Sequence, residues 1–366
     1  LEALKLVAFT RALYLLVAYL AASFLASTEG SSQVGVLELW TRWDARHFLE
    51  IAEFGYTDPR TDPHATAFFP LYPLLIRASS AAGLNPALAG MLISTAASVV
   101  AVAYLYRLAE EELGRGAGRR AALYLLFFPT AVFLVAPYSE ALFLAGAVPA
   151  FFYARRGRWP ASGACAAVSL GARAAGAFLI FGLALEFVRR RDFTRASLLR
   201  AAGAGVIALL PLVAYAAYLA SLEGDPVYFF TDQRLGWGRE LSGPLEALRN
   251  TWGATRVGAG EGAPTNFVIG WRVEIVAVAL GLGAVVWALL EREWGYAGFM
   301  GSLLVSLMAS TAYLSVPRML LSMFPIVLFI ARWTHGRARR HETVLLACAS
   351  IAMLGVVVFT RQAWFY

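Results

Sequence analysis

Apolar stretches of membrane length recur along this chain, at 6–26, 86–106, 197–220, 267–290, 296–315 and 342–360. Each approaches the roughly 20 residues a helix needs to cross a hydrocarbon core. Inside a bilayer the backbone must satisfy its own hydrogen bonds, which leaves helices or a closed barrel. Apolar runs of this length select the helices, so the chain reads as an all-α polytopic membrane protein. Only 15% of its residues are charged and 59% are hydrophobic, against about a quarter charged in soluble domains. The stretch 6–26 is too long for a signal-peptide core and has no small-residue cleavage site, so it reads as a true span. The numbering starts at Leu1 and is expected to lack its initiator.

The formal net charge of +7 would suggest nucleic acid in a soluble protein. Here its distribution reads as topology. Basic clusters lie at 107–120, 155–158, 189–200 and 332–340, whereas 27–65 holds seven acids and three arginines, and 221–266 six acids and four arginines. The positive-inside rule makes the basic loops cytoplasmic and the two acidic loops external. No nucleic-acid partner is expected, and basic residues such as Arg189–Arg191 serve only as topology signals on this reading. Cys165 and Cys348 lie in apolar runs away from ligand-type residues, so they read as buried thiols.

Alternating these sides along the chain gives about eleven membrane segments in a single domain. Residues 121–136 lead out and 141–154 return. Residues 160–188 start and end at basic clusters, so they turn near "GARAAG" (171–176) as two half-spans of about 13 to 15 residues. Residues 318–332 form another span. A re-entrant piece, "TAFFPLYPLL" (66–75), carries Pro70 and Pro73, which break a continuous helix. "GRGAG" (114–118) mimics a nucleotide loop but follows no strand, and is set aside.

The first acidic loop carries "LWTRWDARHFLEIAEFGYTD" (39–58). Treated as one helix over 36–54 at about 100° per residue, it is amphipathic: Leu37, Trp40, Phe48 and Ile51 fall within about 40° of Asp44, while Arg42, Arg46, Glu50 and Glu53 lie opposite. Asp44 therefore projects from the apolar stripe with His47 beside it. Either it pairs with a neighbouring arginine at the headgroups, or it is a catalytic carboxylate facing a membrane-level cavity; the cost of burying an ionisable group without purpose favours the second. His47 either makes a structural hydrogen bond or contacts substrate. Glu50 is about 120° from Asp44, so Asp44, His47 and Glu50 do not converge on a metal.

Other residues follow the same logic. Tyr138, Ser139 and Glu140 are wedged between two apolar limbs, which favours a cavity over a merely solvated turn. Arg173 at the tip of the half-span hairpin, and Arg318 after "LSVP", are external cations against the positive-inside bias. A guanidinium there suits a lipid phosphate, which it grips bidentately. The loop 223–240, rich in aromatics and carrying Asp232 and Gln233, reads as a sugar-binding segment or lid.

"RWDARHFLEIAEFGY" followed by "AFFPLYPLL", then "APYSEALFL", "GARAAG" and "VPRMLLSMFP" in that order, resembles the PIG-V-type mannosyltransferases. The resemblance runs over nearly the whole chain. It implies a GT-C fold, a polyprenyl-phosphate sugar donor, and a catalytic acid on the first external loop, the position Asp44 holds. It also implies an inverting displacement in which Asp44 takes the proton of an acceptor hydroxyl while Arg173 and Arg318 hold the leaving lipid phosphate. His47, Tyr72, Tyr138, Glu140 and Gln233 are counted with the substrate. Neither a cofactor nor a metal is called for. The family carries a polar pair where this chain has Ala174 and Ala175, and the Ala/Arg/Gly-rich composition suggests a prokaryote. The acceptor is therefore expected to be a lipid-linked glycan or surface glycolipid at the plasma membrane, with the site on the external face. A transporter or flippase of an amphipathic glycolipid is the alternative, against which the absence of an internal repeat counts.

Overall fold

The computed structural model describes residues 1–24, 35–260 and 265–361. The start of the acidic loop 27–65 and part of the end of 221–266 lie outside them. In chain order the helices are α1 (Glu2–Phe24), α2 (Asp44–Phe54), α3 (Leu71–Ala81), α4 (Pro86–Leu113), α5 (Ala117–Leu126), α6 (Glu140–Ala154), α7 (Trp159–Ala172) and α8 (Gly176–Arg190). There follow α9 (Arg195–Glu223), α10 (Tyr228–Trp237), α11 (Pro244–Gly260), α12 (Thr265–Leu290), α13 (Trp294–Met308), α14 (Val316–Ser322), α15 (Pro325–Thr334) and α16 (Ala338–Thr360). Among the described residues five helices, α1, α4, α9, α12 and α16, are long and apolar enough to cross a membrane, or six if α14 and α15 count as one broken span. The longest are started by side chains: Asn85 accepts from the Ala87 and Leu88 N–H groups beside Pro86 at the first position of α4, and Thr194 accepts from Ser197 at α9.

Several sequence expectations shift, each for a local reason. The expected helix over 36–54 is broken: a 3-10 turn at Glu38–Trp40 ends before Trp43, whose φ of 53° lies in the left-handed region, and α2 starts only at Asp44. The expected span 121–136 is the ten-residue α5 and a short 3-10 turn at Ala131–Leu134, with Pro129 between them. Residues 318–332 are divided at Met323–Phe324, where Pro325 starts a new helix. Pro73 does not break α3, because it sits in the first turn, where its missing N–H has no helical partner to lose. The second acidic loop holds two helices, α10 and α11. The hairpin near 171–176 is present, with Arg173 in extended conformation between α7 and α8. "GRGAG" turns α4 into α5, its Gly116 and Gly118 N–H groups donating to Glu110. Cys165 and Cys348 are only partly buried.

The chain divides into two compact units. One is built around Leu1–Asp62, Leu71–Ala145 and the last two helices, the other around Pro63–Pro70 and Gly146–Met323. In the first, α1 packs on α4, α5 and α16. Arg11 sits inside α1, only 7% exposed. Its Nη2 donates to Ser98 Oγ at 2.6 Å and to the Leu134 carbonyl at 2.7 Å, so the buried cation is satisfied by α4 and the 131–134 turn. In the second unit α7 packs on α9 and α8 on α13. Glycine permits these close approaches: a Cβ on Gly163 would collide with the Ala204 backbone, and one on Gly182 with Gly295 and Phe299.

Arg155 and Arg189 are more than topology signals. The fully buried Glu186 on α8 accepts from Arg189 Nε at 3.0 Å and Nη2 at 2.5 Å, with Arg155 Nε at 3.7 Å. Arg155 also bonds Glu293 at 2.5 Å and lies over the Tyr296 ring. The network joins α6, α8 and α13 through charge.

Candidate active site

In the first unit, α2 presents Ala45, Phe48, Ile51 and Ala52 to the interior and Arg46 and Glu53 to the outside. The amphipathic face read from the sequence therefore survives the loss of the helix's first half. Asp44 is half-buried and is the first residue of α2. The strained Trp43, with φ 53° and ψ −128°, turns the chain abruptly into it. At a helix N-terminus the backbone N–H groups stabilise negative charge. Gly55, at φ 87°, ends the helix. On the loop that follows, a hydrogen bond from Arg60 holds Asp58 down at about 2.

Two tyrosines that the sequence counts with the substrate lie around the start of α2. Tyr138 is 1% exposed and donates its hydroxyl to the Arg42 carbonyl at 3.0 Å, two residues before Asp44. Tyr72 is fully buried, and donates to the Gly90 carbonyl at 2.9 Å. It also meets Ser94 Oγ at 2.8 Å, and Ser94 in turn reaches the carbonyls of Ala136 and Tyr138 at 3.0 and 3.2 Å. Phe48 packs edge-on against Tyr72 at 5.2 Å and lies 6.4 Å from Tyr138. Tyr138 thus ties the segment before α2 to the start of α6, and Tyr72 ties α3 to α4 beneath Phe48. Glu140 is fully buried at the first position of α6. His47 lies 3.8 Å from the Asp62 carboxylate.

The other candidates belong to the second unit. Arg173 Nη2 reaches Met319 Sδ at 3.4 Å, and Met319 is the neighbour of Arg318, itself 7% exposed on α14. Gln233 Nε2 is 3.5 Å from the Ala67 carbonyl. Beside it, Asp232 is buried, accepts from Thr66 Oγ1 at 2.5 Å and pairs with His64 Nδ1 at 3.1 Å. The His64 ring rests on Gly236, where an added Cβ would come within 3.0 Å of His64. Sequence reading passed over His64, Arg11 and Glu274. For the last two the signal was present, since each is an ionisable residue inside an apolar span. Among the described residues no three His, Cys, Asp or Glu side chains group as metal ligands would.

The model of the family described as "Mannosyltransferase (PIG-V)" matches residues 11–196, just over half of the chain. The chain belongs to the PIG-V mannosyltransferase family. The match takes in the first four motifs quoted above and stops short of "VPRMLLSMFP" at 316–325. The chain is 39% identical over 155 residues to mouse GPI alpha-1,6-mannosyltransferase 2, and 36% identical over 135 residues to the human protein of that name. These stretches cover 39% and 34% of this chain, but only 30% and 27% of the relatives, so the chain spans under a third of their length. The fold is similar to that of ArnT from Cupriavidus metallidurans, whose crystal structure holds undecaprenyl phosphate. The TM-score is 0.55 at 16% identity, over 96% of this chain and 64% of that one. The fold is thus an ArnT-like one.

Proposed function

We propose that the chain is an integral membrane mannosyltransferase that moves mannose from a polyprenyl-phosphate carrier to a hydroxyl of a lipid-linked or surface glycan, with inversion. The observation that carries the reading is Asp44: an acid at a strained helix start, half-buried and braced by Tyr138, inside the segment matched by the PIG-V family. Asp44 accepts the proton of the acceptor hydroxyl as that oxygen attacks the anomeric carbon and the bond from that carbon to the phosphate oxygen breaks, releasing the lipid phosphate. His47 and Glu140 complete the acceptor side. Tyr72 and Tyr138 hold the geometry.

The leaving lipid phosphate falls to Arg173 and Arg318. Their common neighbourhood at Met319 supports this, as does the undecaprenyl phosphate bound by ArnT. Gln233, with Asp232 and His64, orders a lid. On this reading the shorter helices join the long ones to make about eleven membrane segments in one working domain, with 27–65 and 221–266 on the external face of the plasma membrane. Incubating the purified protein with polyprenyl-phosphate mannose and a lipid extract tests the activity: a mannosylated lipid is expected, and its absence in both membrane and detergent preparations overturns the reading. A single cysteine at Ser242, in a background without Cys165 and Cys348, should react with an impermeant reagent in intact cells.

A further inference from the structure

Arg318 owes its place to a turn that the chain would not adopt unaided. Ser315, immediately before α14, has φ 62° and ψ 25°, in the left-handed region that side chains other than glycine's avoid. The turn is held from several directions. The Tyr313 N–H donates to Thr251 Oγ1 at 2.9 Å, and Arg239 Nη2 donates to the Leu314 carbonyl at 3.2 Å. The tightest hold comes from Glu274 on α12, which is fully buried. Its Oε1 accepts from the Ser315 N–H at 2.7 Å and its Oε2 from the Val316 N–H at 2.8 Å. A carboxylate in an apolar span is expensive and is retained where it has a task. Here both oxygens are committed to two successive N–H groups as charge-assisted hydrogen bonds.

We propose that Glu274 is a positioning residue for lipid-phosphate binding: it locks the left-handed turn at Ser315 and thereby sets the register of α14 that aims Arg318 at the donor phosphate. This rests on the donor-site reading given above. Glu274 touches neither substrate nor reacting atoms. It acts through the backbone of 315–316, three residues upstream of the guanidinium.

The test is a thermodynamic cycle on undecaprenyl phosphate binding to the full-length protein in detergent, with Glu274→Ala, Arg318→Ala and the double variant. Each single change is expected to weaken binding about tenfold or more, and the double variant to be no weaker than Arg318→Ala alone, because both act through one contact. Losses that multiply in the double variant would place Glu274 in some other role and overturn the inference. If Glu274→Ala does not fold, Glu274→Gln replaces it. The amide keeps one acceptor oxygen but sets an N–H against an N–H. Adding Ser315→Gly, which removes the penalty of the left-handed turn, should then return the affinity toward wild type, and no recovery counts against the turn as the route. An Arg318→Ala protein that binds undecaprenyl phosphate normally removes the donor site and this inference together. A weakened Arg318→Ala beside unaltered Glu274 variants removes the inference alone.

Discussion

Glu186 and Asp44 are both acids in an apolar protein, and their surroundings are opposite. Glu186 is fully enclosed, with its oxygens met by Arg189 and approached by Arg155, which is itself anchored to Glu293 and stacked on Tyr296. Asp44 keeps part of its surface exposed, starts a helix of eleven residues and follows a strained backbone. Just before it, the Tyr138 hydroxyl holds the main chain at the Arg42 carbonyl. In the first region, charge is answered by charge and the result is rigidity. In the second, a buried phenol holds the backbone from which a half-buried acid projects.

If that contrast is right, variants should separate into losses of rate and losses of stability. The largest effect is expected from Asp44→Asn, which keeps size and polarity but cannot take a proton. Turnover should fall about 10²–10⁴-fold with the unfolding temperature in detergent unchanged, and full activity would reduce Asp44 to a structural acid. Next comes Arg189→Ala, which leaves the buried Glu186 carboxylate with only the longer approach of Arg155. Stability should drop by about 3 kcal/mol, read by thermal unfolding, while turnover per folded molecule stays near wild type. Replacing Glu186 and Arg189 together by leucine should recover most of that loss. A smaller change, in KM for the lipid donor, is expected from Arg173→Ala and Arg318→Ala, each worth about 1.5–3 kcal/mol for a charge-assisted contact, or roughly ten- to hundredfold. Smallest is Tyr138→Phe: one hydrogen bond of about 1 kcal/mol should cost several-fold in kcat and little in KM. Glu50→Gln, facing Arg46 on the outer side of α2, is the control and should remain within a few-fold of wild type.

The class of fold was legible because apolar length is a one-dimensional signal. The long helices α1, α4, α9 and α12 fall on the runs picked from the sequence, and the hairpin at Arg173 was read from charge alone. The apolar face of α2 was legible because the helix keeps its period over Phe48 and Ile51. What was not legible depended on backbone conformation or on distant partners. Nothing in the sequence around 36–54 announces that Trp43 takes a positive φ. The hydrogen-bond partners of Tyr72 and Tyr138, namely Gly90, Ser94 and the Arg42 carbonyl, are brought up only by folding. Arg189 looked like a topology signal because Glu186 was one more acid near a basic cluster until its burial was seen.

The Arg11 contact carries a consequence for biogenesis. The cation leaves the ribosome 87 residues before Ser98 and 123 residues before Leu134, its two closest partners. Through that interval α1 must dwell in or beside the insertion machinery with an uncompensated arginine, a burden of about 2.5–3.5 kcal/mol at a helix centre. Stable integration of α1 thus waits on the synthesis of the 131–134 turn. Ribosome-bound intermediates shorter than this should release α1 to alkaline extraction, and longer ones should retain it.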